Sequence, residues 1–154
     1  MNILLATKNV NKHKEISTIF KDSGNFHKTI YKEDLIEVVE DKNTILENAQ
    51  KKAFEIYNHY QIPVISDDSG LFVNSLNGMP GLRSKRYAGE NASDIENIEK
   101  LLTNLSEKKD RSAHFQTVLY FYDGKTEITT EGTLEGVITP VSYTHLTLPT
   151  IYSV

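Results

Sequence analysis

The chain has 154 residues, a formal net charge of -4 and no cysteine, a size at which one domain can bury its own hydrophobic core. The missing cysteine excludes a disulfide framework, a thiolate zinc site and a cysteine nucleophile. The mild negative charge argues against general nucleic-acid binding, and no apolar run is long enough to span a membrane, so we expect a cytoplasmic protein whose partners are neither nucleic acid nor membrane.

The first third of the chain predicts a strand followed by a helix. Residues 2–6 are apolar and predict the strand. The spacing of Ile16, Ile19 and Phe20 predicts a helix with these apolar residues on one face, which ends at residues 23–24.

The middle of the chain predicts a second helix and a buried strand. Residues 27–39 suggest a short strand and a loop, and Thr44 with Glu47 forms a capping box before a helix. Residues 62–66 then predict a strand, after which Asp67-Asp68-Ser69-Gly70 predicts a turn. We expect the helix to bury one set of apolar residues: Ile45, Ala49, Ala53, Ile56 and Tyr60.

The last part of the chain predicts one more helix and a hairpin. Ser93 and Glu96 form a second capping box, before a helix whose apolar residues are Ile95, Ile98, Leu101, Leu102 and Leu105. Residues 113–122 alternate with a period of two and are rich in aromatic side chains, so they predict a strand. A turn at Asp123-Gly124 and a return strand at 126–133 complete a mixed α/β sheet.

The run Asp67-Asp68-Ser69-Gly70 is the most informative motif of the chain. Sheets of the α/β class place ligands at the carboxyl ends of their strands. Two adjacent anions repel each other unless a cation, a proton or a partner relieves them, and Mg²⁺ suits carboxylate oxygens. The same four residues also make an ordinary polar turn, and the residues by themselves leave both interpretations open.

The loop after the first strand indicates an anion site. Thr7, Lys8, Asn9 and Lys12 lie where the first helix begins. Cations are unfavourable at the positive end of a helix dipole, and a bound phosphate would reverse that penalty. The glycines of a Walker loop are missing. The alternative is that Asn9 only caps the helix and that the lysines face water.

Three further residues could support a magnesium site, each with a structural alternative. Glu40 could complete a carboxylate set with the Asp pair, or could face solvent in an acidic loop. Glu47 is explained first by its capping box. Asn48 could orient a metal ligand or face water.

A basic loop bounded by glycines spans residues 80–89 and contains Arg83, Ser84, Lys85 and Arg86. Arginine suits bidentate recognition of phosphate or carboxylate, although a solvated loop is the alternative. Two basic loops, a carboxylate cluster and no covalent nucleophile arrangement together indicate metal-assisted hydrolysis of a polyphosphate.

Four motifs in this order resemble the inosine triphosphate pyrophosphatase family, the pyrophosphatases of non-canonical purine nucleoside triphosphates. The resemblance runs from residue 1 to about Pro140 and rests on these groups: Ala6-Thr7 with Asn9 and Lys12; Glu40 with Thr44 and Glu47-Asn48-Ala49; Asp67-Asp68-Ser69-Gly70-Leu71; and Pro80-Gly81 with Ser84, Arg86 and Tyr87. It implies a mixed, elongated sheet flanked by helices, in two lobes around a central cleft, and a homodimer. It also implies Mg²⁺-dependent hydrolysis of ITP, dITP or XTP to the monophosphate and pyrophosphate.

The resemblance also implies residue roles. Thr7, Asn9 and Lys12 would hold the triphosphate, and Lys8, which stands where the family often has glycine, belongs to the same phosphate-facing loop. The resemblance makes Glu40 and Asp68 the Mg²⁺ ligands and Asp68 the general base. It implies a supporting role for Asp67, substrate contact for Ser69, and a place in the cleft loop for Ser84 and Arg86.

The end of the chain departs from the family. After Pro140 the Gly-Phe-Gly-Tyr-Asp-Pro and Ser-His-Arg motifs, which form much of the purine pocket, are absent. We therefore expect residues 1–140 to be a partial pyrophosphatase domain, incomplete at its C-terminus. We expect residues 141–154, which contain no Asp, Glu, Lys or Arg, to be a non-native tail. Two alternatives follow: a catalytically impaired nucleotide-binding fragment, or a related enzyme acting on pyrimidine or modified nucleotides.

Overall fold

A computed structural model describes residues 1–24, 27–140 and 151–152. Three helices and seven strands form in the described part of the chain. In chain order they are β1 (Asn2–Leu5), α1 (Val10–Asp22), β2 (Lys28–Ile30), α2 (Ile45–Tyr60), β3 (Val64–Val73), β4 (Pro80–Gly81), α3 (Asp94–Asn104), β5 (Ser112–Tyr122), β6 (Glu127–Ile138) and β7 (Ile151–Tyr152), with short 3-10 helices at Asn74–Leu76 and Ser84–Arg86.

The strands form one mixed sheet in the order β2-β1-β3-β5-β6-β7, with β4 paired to β3. The pairs β1–β2 and β1–β3 are parallel, whereas β3–β4 and β6–β7 are antiparallel. A mixed α/β sheet flanked by helices was the prediction, and it is confirmed.

The chain divides into two compact units, which agree in number with the two expected lobes. The first unit comprises Met1–Asp68 and Val118–Glu131, and the second comprises Ser69–Thr117 and Gly132–Val154. β3 passes from the first unit to the second between Asp68 and Ser69. The two halves of the Asp-Asp-Ser-Gly motif therefore belong to different units.

The core of the first unit lies between the sheet and α2. The helix begins at Thr44, whose hydroxyl accepts a hydrogen bond from the Glu47 amide at 3.1 Å. The Glu47 carboxylate in turn accepts a hydrogen bond from the Thr44 hydroxyl at 2.9 Å, so the second bond of this pair is made with the Thr44 side chain. The predicted apolar face is confirmed: Ile45, Ala49, Ala53 and Ile56 are buried, and Tyr60 is half-buried.

The apolar face of α1 is not buried. The helix begins and ends close to where the sequence places it, but none of the residues Val10–Asp22, all of which the structure describes, is buried. Ile19 is 67% exposed. The helix lies against the short strand β2, where Ser17 and Thr29 share a hydrogen bond between their hydroxyl oxygens at 2.5 Å. A three-residue strand at the end of the sheet order covers little of a helix face.

The predicted turn at Asp67-Asp68-Ser69-Gly70 is wrong. β3 continues without interruption from Val64 to Val73, so both carboxylates lie inside a strand. Gly70 is the position where the neighbouring loop comes closest, because a Cβ built there would lie 2.7 Å from the Gly81 carbonyl oxygen. β3 pairs with β1 at Val64 and Ile65 and with β4 at Leu71 and Phe72, and it lies next to β5 in the sheet, so pairing before and after the four residues keeps them extended despite their turn propensity.

The second unit has its own apolar core, formed by Leu71, Val73, Leu76, Leu101, Leu105, Ala113 and Ile138. The predicted capping box at Ser93 is confirmed, with both reciprocal hydrogen bonds present. The buried face of α3 differs from the prediction, since Ile95 is 68% exposed while Asn97 and Leu101 are buried. The sheet packs against the side of the helix that contains Asn97, and this leaves Ile95 in solvent.

β5 confirms the predicted strand, and β6 extends past the predicted return strand to Ile138. No helix within the described residues combines the length and the apolar character needed to cross a membrane. The predicted non-native tail, residues 141–154, lies outside the described residues except for Ile151 and Tyr152, which form β7.

Replacing Gly70 with alanine should destabilise the protein by about 1–3 kcal/mol, because the added methyl group would overlap the carbonyl group of Gly81. Urea unfolding at equilibrium measures this loss. Gly132→Ala is the matched control, since a Cβ at that glycine meets no atom within 4 Å. Equal stability of the two variants would contradict the close approach of β3 and β4.

Truncating the buried residue of α3 should cost far more than truncating the exposed one. We expect Leu101→Ala to lower the free energy of unfolding by about 2–5 kcal/mol, because Leu101 is 3% exposed. The control Ile95→Ala should change it by less than about 0.5 kcal/mol, because that side chain already contacts water. Similar losses for both variants would show that Ile95 is buried, as the sequence predicted.

Candidate active site

The strand β3 presents its two carboxylates to opposite faces of the sheet. Asp67 is 8% exposed and Asp68 is 7% exposed, and adjacent residues of a strand point to opposite sides. Each anion therefore meets a different set of partners. The idea that the two carboxylates stand side by side and need one shared cation is corrected by this alternation.

Asp68 faces α2. Its Oδ2 accepts a hydrogen bond from Asn48 Nδ2 at 3.1 Å. Two residues earlier on the same side of the strand, the Ser66 hydroxyl donates to the Ala49 carbonyl oxygen at 2.6 Å. Asn48 is itself buried, and its Oδ1 accepts from the Lys42 amide at 2.9 Å. The sequence allowed Asn48 either to orient a metal ligand or to face water; in the structure it is buried and bonds to the Asp68 carboxylate.

Asp67 is neutralised by lysine. Its Oδ2 forms an ion pair with the Lys12 ammonium group, in the first turn of α1. Its backbone carbonyl oxygen accepts a hydrogen bond from Lys52 Nζ at 2.7 Å. A buried carboxylate is costly to desolvate unless it is paired, and these contacts compensate Asp67.

Lys52 is the residue that sequence reasoning missed. Its ammonium group also lies 2.5 Å from Glu40 Oε1, so one cation holds both a loop carboxylate and the β3 backbone. The available signal was helical spacing, because Lys52 follows Asn48 by four residues and must share its side of α2. Glu40 therefore lies at the edge of the Asp67 and Asp68 segment, as the sequence predicted.

The N-terminal loop is shaped by its own side chains. Asn9 caps α1, and its Oδ1 accepts from the Asn11 amide at 2.9 Å and the Lys12 amide at 3.3 Å. Thr7 Oγ1 accepts from the Asn9 amide at 3.1 Å. Lys8 is exposed, and its carbonyl oxygen accepts from the Tyr31 hydroxyl. The capping alternative is therefore correct for Asn9, and the phosphate contact stays a prediction.

Glu47 serves α2 through its hydrogen bonds with Thr44, as the capping interpretation predicted. In the acidic loop, Asp41, which follows Glu40, accepts a hydrogen bond from Lys51 Nζ at 2.8 Å, and this bond lowers the pKa of the Asp41 carboxyl. In the parts of the chain that the structure describes, no group of three or more His, Cys, Asp or Glu side chains could hold a metal ion.

The remaining predicted residues belong to the second unit. Ser69 Oγ and Thr117 Oγ1 share a hydrogen bond at 2.9 Å. Ser84 Oγ accepts from the Leu71 amide at 2.9 Å and donates to the Gly81 carbonyl oxygen at 2.5 Å. Arg86 Nε lies 4.0 Å from a carboxylate oxygen of Glu90. Ser84 thus ties the basic loop to β3.

The first unit brings together six chemically useful side chains: Lys12, Glu40, Asn48, Lys52, Asp67 and Asp68. Two ammonium groups at the rim of a strand can bind an anionic ligand, and carboxylate oxygens beside them can hold a hard cation or accept a proton. The contacts form two groups at adjacent residues of β3: Lys12, Lys52 and Glu40 around Asp67, and Asn48 at Asp68.

Comparisons with known proteins identify the family of the chain. Residues 3–145 match the model of the Ham1 family. A dITP/XTP pyrophosphatase from Desulfotalea psychrophila is 44% identical over 138 residues, which are 88% of this chain and 62% of that protein. One from Shouchella clausii is 40% identical over 141 residues, 89% of this chain and 71% of that protein.

Solved structures give the same result. The Ham1 protein of Staphylococcus aureus superposes with a TM-score of 0.86 at 36% identity, over 99% of this chain and 81% of that one. The HAM1 protein of Coxiella burnetii superposes with a TM-score of 0.87 at 30% identity, over 99% and 82% of the two chains. The chain thus spans 62% of one of these curated relatives and 71% of the other, and over that span it belongs to the Ham1 family.

Proposed function

We propose that this chain is a nucleoside triphosphate pyrophosphatase that hydrolyses ITP, dITP and XTP to the monophosphate and pyrophosphate. One observation carries the proposal: two buried, adjacent carboxylates of β3 each have polar partners, Asp67 with Lys12 and Lys52, and Asp68 with Asn48, and Lys52 also pairs with Glu40. The names of the relatives, dITP/XTP pyrophosphatases, support the choice of substrate.

Magnesium fits the residues that would hold it, Glu40 and Asp68. Both offer hard carboxylate oxygens, and Mg²⁺ in phosphate-processing sites takes one or two carboxylates and fills its other positions with water and substrate phosphate. When bound, Mg²⁺ supplies positive charge that offsets the negative charge of the phosphates.

The chain's own residues would perform the proton transfer. Asp68 would accept a proton from the attacking water. The water oxygen would bond to the α-phosphorus while the α–β anhydride bond breaks and pyrophosphate leaves. Asn48 keeps the Asp68 carboxylate in one orientation through the bond to Oδ2. Asp67 has the supporting role: its ion pair fixes the Lys12 ammonium group at the start of α1.

The cations would hold the triphosphate. Lys12 lies in the first turn of α1, where a phosphate would gain from the ammonium group and from the positive end of the helix dipole, while Asn9 caps the Asn11 and Lys12 amides. Thr7, Lys8 and Asn9 complete that loop. In the second unit, Ser69 would contact substrate, and Ser84 with Arg86 would form the further phosphate-binding loop. The proposal also includes a cytoplasmic location and a homodimer.

Removing the base should abolish turnover while sparing the fold. We expect Asp68→Asn to lower kcat for dITP by about 10²–10⁴-fold, because the amide keeps an oxygen for Asn48 and cannot accept the proton. Pyrophosphate release measures the rate, and the exposed Asp22→Asn at the end of α1 is the matched control. Wild-type turnover by Asp68→Asn would show that Asp68 is not the general base.

The same assay separates the alternatives. Faster hydrolysis of UTP or dTTP than of dITP and XTP would select an enzyme of pyrimidine nucleotides. Triphosphate binding with Mg²⁺ but without pyrophosphate release would select a nucleotide-binding protein that lacks catalysis.

Weakening the metal site should change the magnesium requirement. We expect Glu40→Gln to raise the Mg²⁺ concentration for half-maximal dITP hydrolysis by at least about tenfold, because a neutral amide is a poorer ligand. A Mg²⁺ titration at fixed dITP measures this shift. Glu55→Gln, on the exposed side of α2, is the control. An unchanged requirement in Glu40→Gln would remove Glu40 from the proposed ligands.

A further inference from the structure

Within the basic loop (residues 80–89), the buried side-chain amide of Asn97 holds the segment that contains Arg86. Asn97 of α3 is 7% exposed. Its Nδ2 donates to the Lys85 carbonyl oxygen at 2.9 Å, and its Oδ1 accepts from the Ala88 amide at 2.7 Å. These two backbone groups stand on either side of Arg86 and Tyr87. The Asn97 side chain thus fixes the two ends of the segment that contains Arg86.

Other contacts fix the rest of the basic loop. Ser84 ties its start to β3 through the Leu71 amide and the Gly81 carbonyl oxygen. Lys100 Nζ donates to the Tyr87 carbonyl oxygen at 2.8 Å, and Asn104 Nδ2 donates to the Tyr87 hydroxyl oxygen at 2.7 Å. The backbone that bears Arg86 is therefore bound to β3 on one side and to α3 on the other.

The chemistry at position 97 requires an amide. One side chain has to donate to a carbonyl oxygen and accept from an N–H, and asparagine does both with neutral groups of fixed geometry. Aspartate at this site would keep the acceptor but would place a negative oxygen against the Lys85 carbonyl oxygen. A buried polar group that loses its partner is costly, so the loop would move rather than leave either backbone group unpaired.

We propose that Asn97 is a positioning residue for substrate binding, which acts by holding the Arg86 segment in the conformation that receives the triphosphate. This inference rests on the proposed function, in which Arg86 contacts the phosphates. A guanidinium group on a fixed backbone loses less freedom when it binds phosphate than one on a mobile loop. The role of Asn97 should therefore appear in KM for the triphosphate and leave kcat nearly unchanged.

A double-mutant cycle on the whole chain tests this role, with Arg86→Ala as the second substitution. We expect Asn97→Asp to raise KM for dITP about tenfold in the wild-type background and less than about twofold in the Arg86→Ala background. Asn97→Ala provides a second variant that removes both hydrogen bonds without adding charge. Glu99→Gln, an exposed change on the same helix, should leave KM unchanged.

Amide hydrogen exchange at Ala88 gives a readout that does not need activity. Because Asn97 Oδ1 accepts from this amide, its protection should fall in Asn97→Ala and should persist in Glu99→Gln. Thermal unfolding of every variant shows which ones are folded at the assay temperature, and the kinetic comparison uses those.

The outcomes separate the inference from the function on which it rests. Equal effects of Asn97→Asp in both backgrounds, or unchanged protection of Ala88 in Asn97→Ala, would overturn the positioning role alone. An Arg86→Ala variant with unchanged KM would overturn the assignment of Arg86 and, with it, the role of Asn97. No pyrophosphate release from any triphosphate by the unmodified chain would overturn the proposed function and this inference together.

Discussion

The site depends on how two adjacent carboxylates are kept in a buried strand. Placing Asp67 and Asp68 in β3 removes both from most of the solvent, which is costly for any unpaired charge. Strand geometry separates them to opposite faces, so each finds its own partner. Lys12 neutralises Asp67, and Asn48 binds Asp68. The same separation leaves an ammonium group at the start of α1 and an oriented carboxylate toward α2. In the proposed function, the ammonium group binds phosphate and the carboxylate is the general base.

α2 organises the first unit because its small residues let it approach the sheet. Ala49 and Ala53 are fully buried, and the Ser66 hydroxyl reaches the Ala49 carbonyl oxygen. This close contact brings the side chains of Asn48 and Lys52 to β3. The second unit holds its basic loop by a comparable principle, since the close approach of Gly70 to Gly81, the Ser84 hydroxyl and the Asn97 amide all act on backbone groups. Both units thus place charged side chains on backbone that rigid elements restrain.

Helix ends were predictable because their signals are local. Thr44 and Ser93 cap their helices within a few residues of sequence, and Asn9 does the same for α1. Lys12 and Asn48 lie in the first turns of α1 and α2, so their proximity to β3 follows from where those helices begin. Lys52 escaped notice because a lysine in the middle of a helix has many structural explanations and only its contact with Glu40 and β3 marks it.

The amino-acid order alone settled the alternation of strands and helices, the capped helix starts and the residue types of the site, since these depend on neighbours a few positions apart. Only tertiary packing settled that Asp67-Asp68-Ser69-Gly70 is strand rather than turn, because β1 pairs with β3 just before this run and β4 pairs with it just after. Packing also decided which apolar residues are buried: Ile19 and Ile95 repeat at helical spacing yet face solvent. Periodicity shows that a helix has an apolar side, whereas the side that is covered depends on where the sheet lies against it.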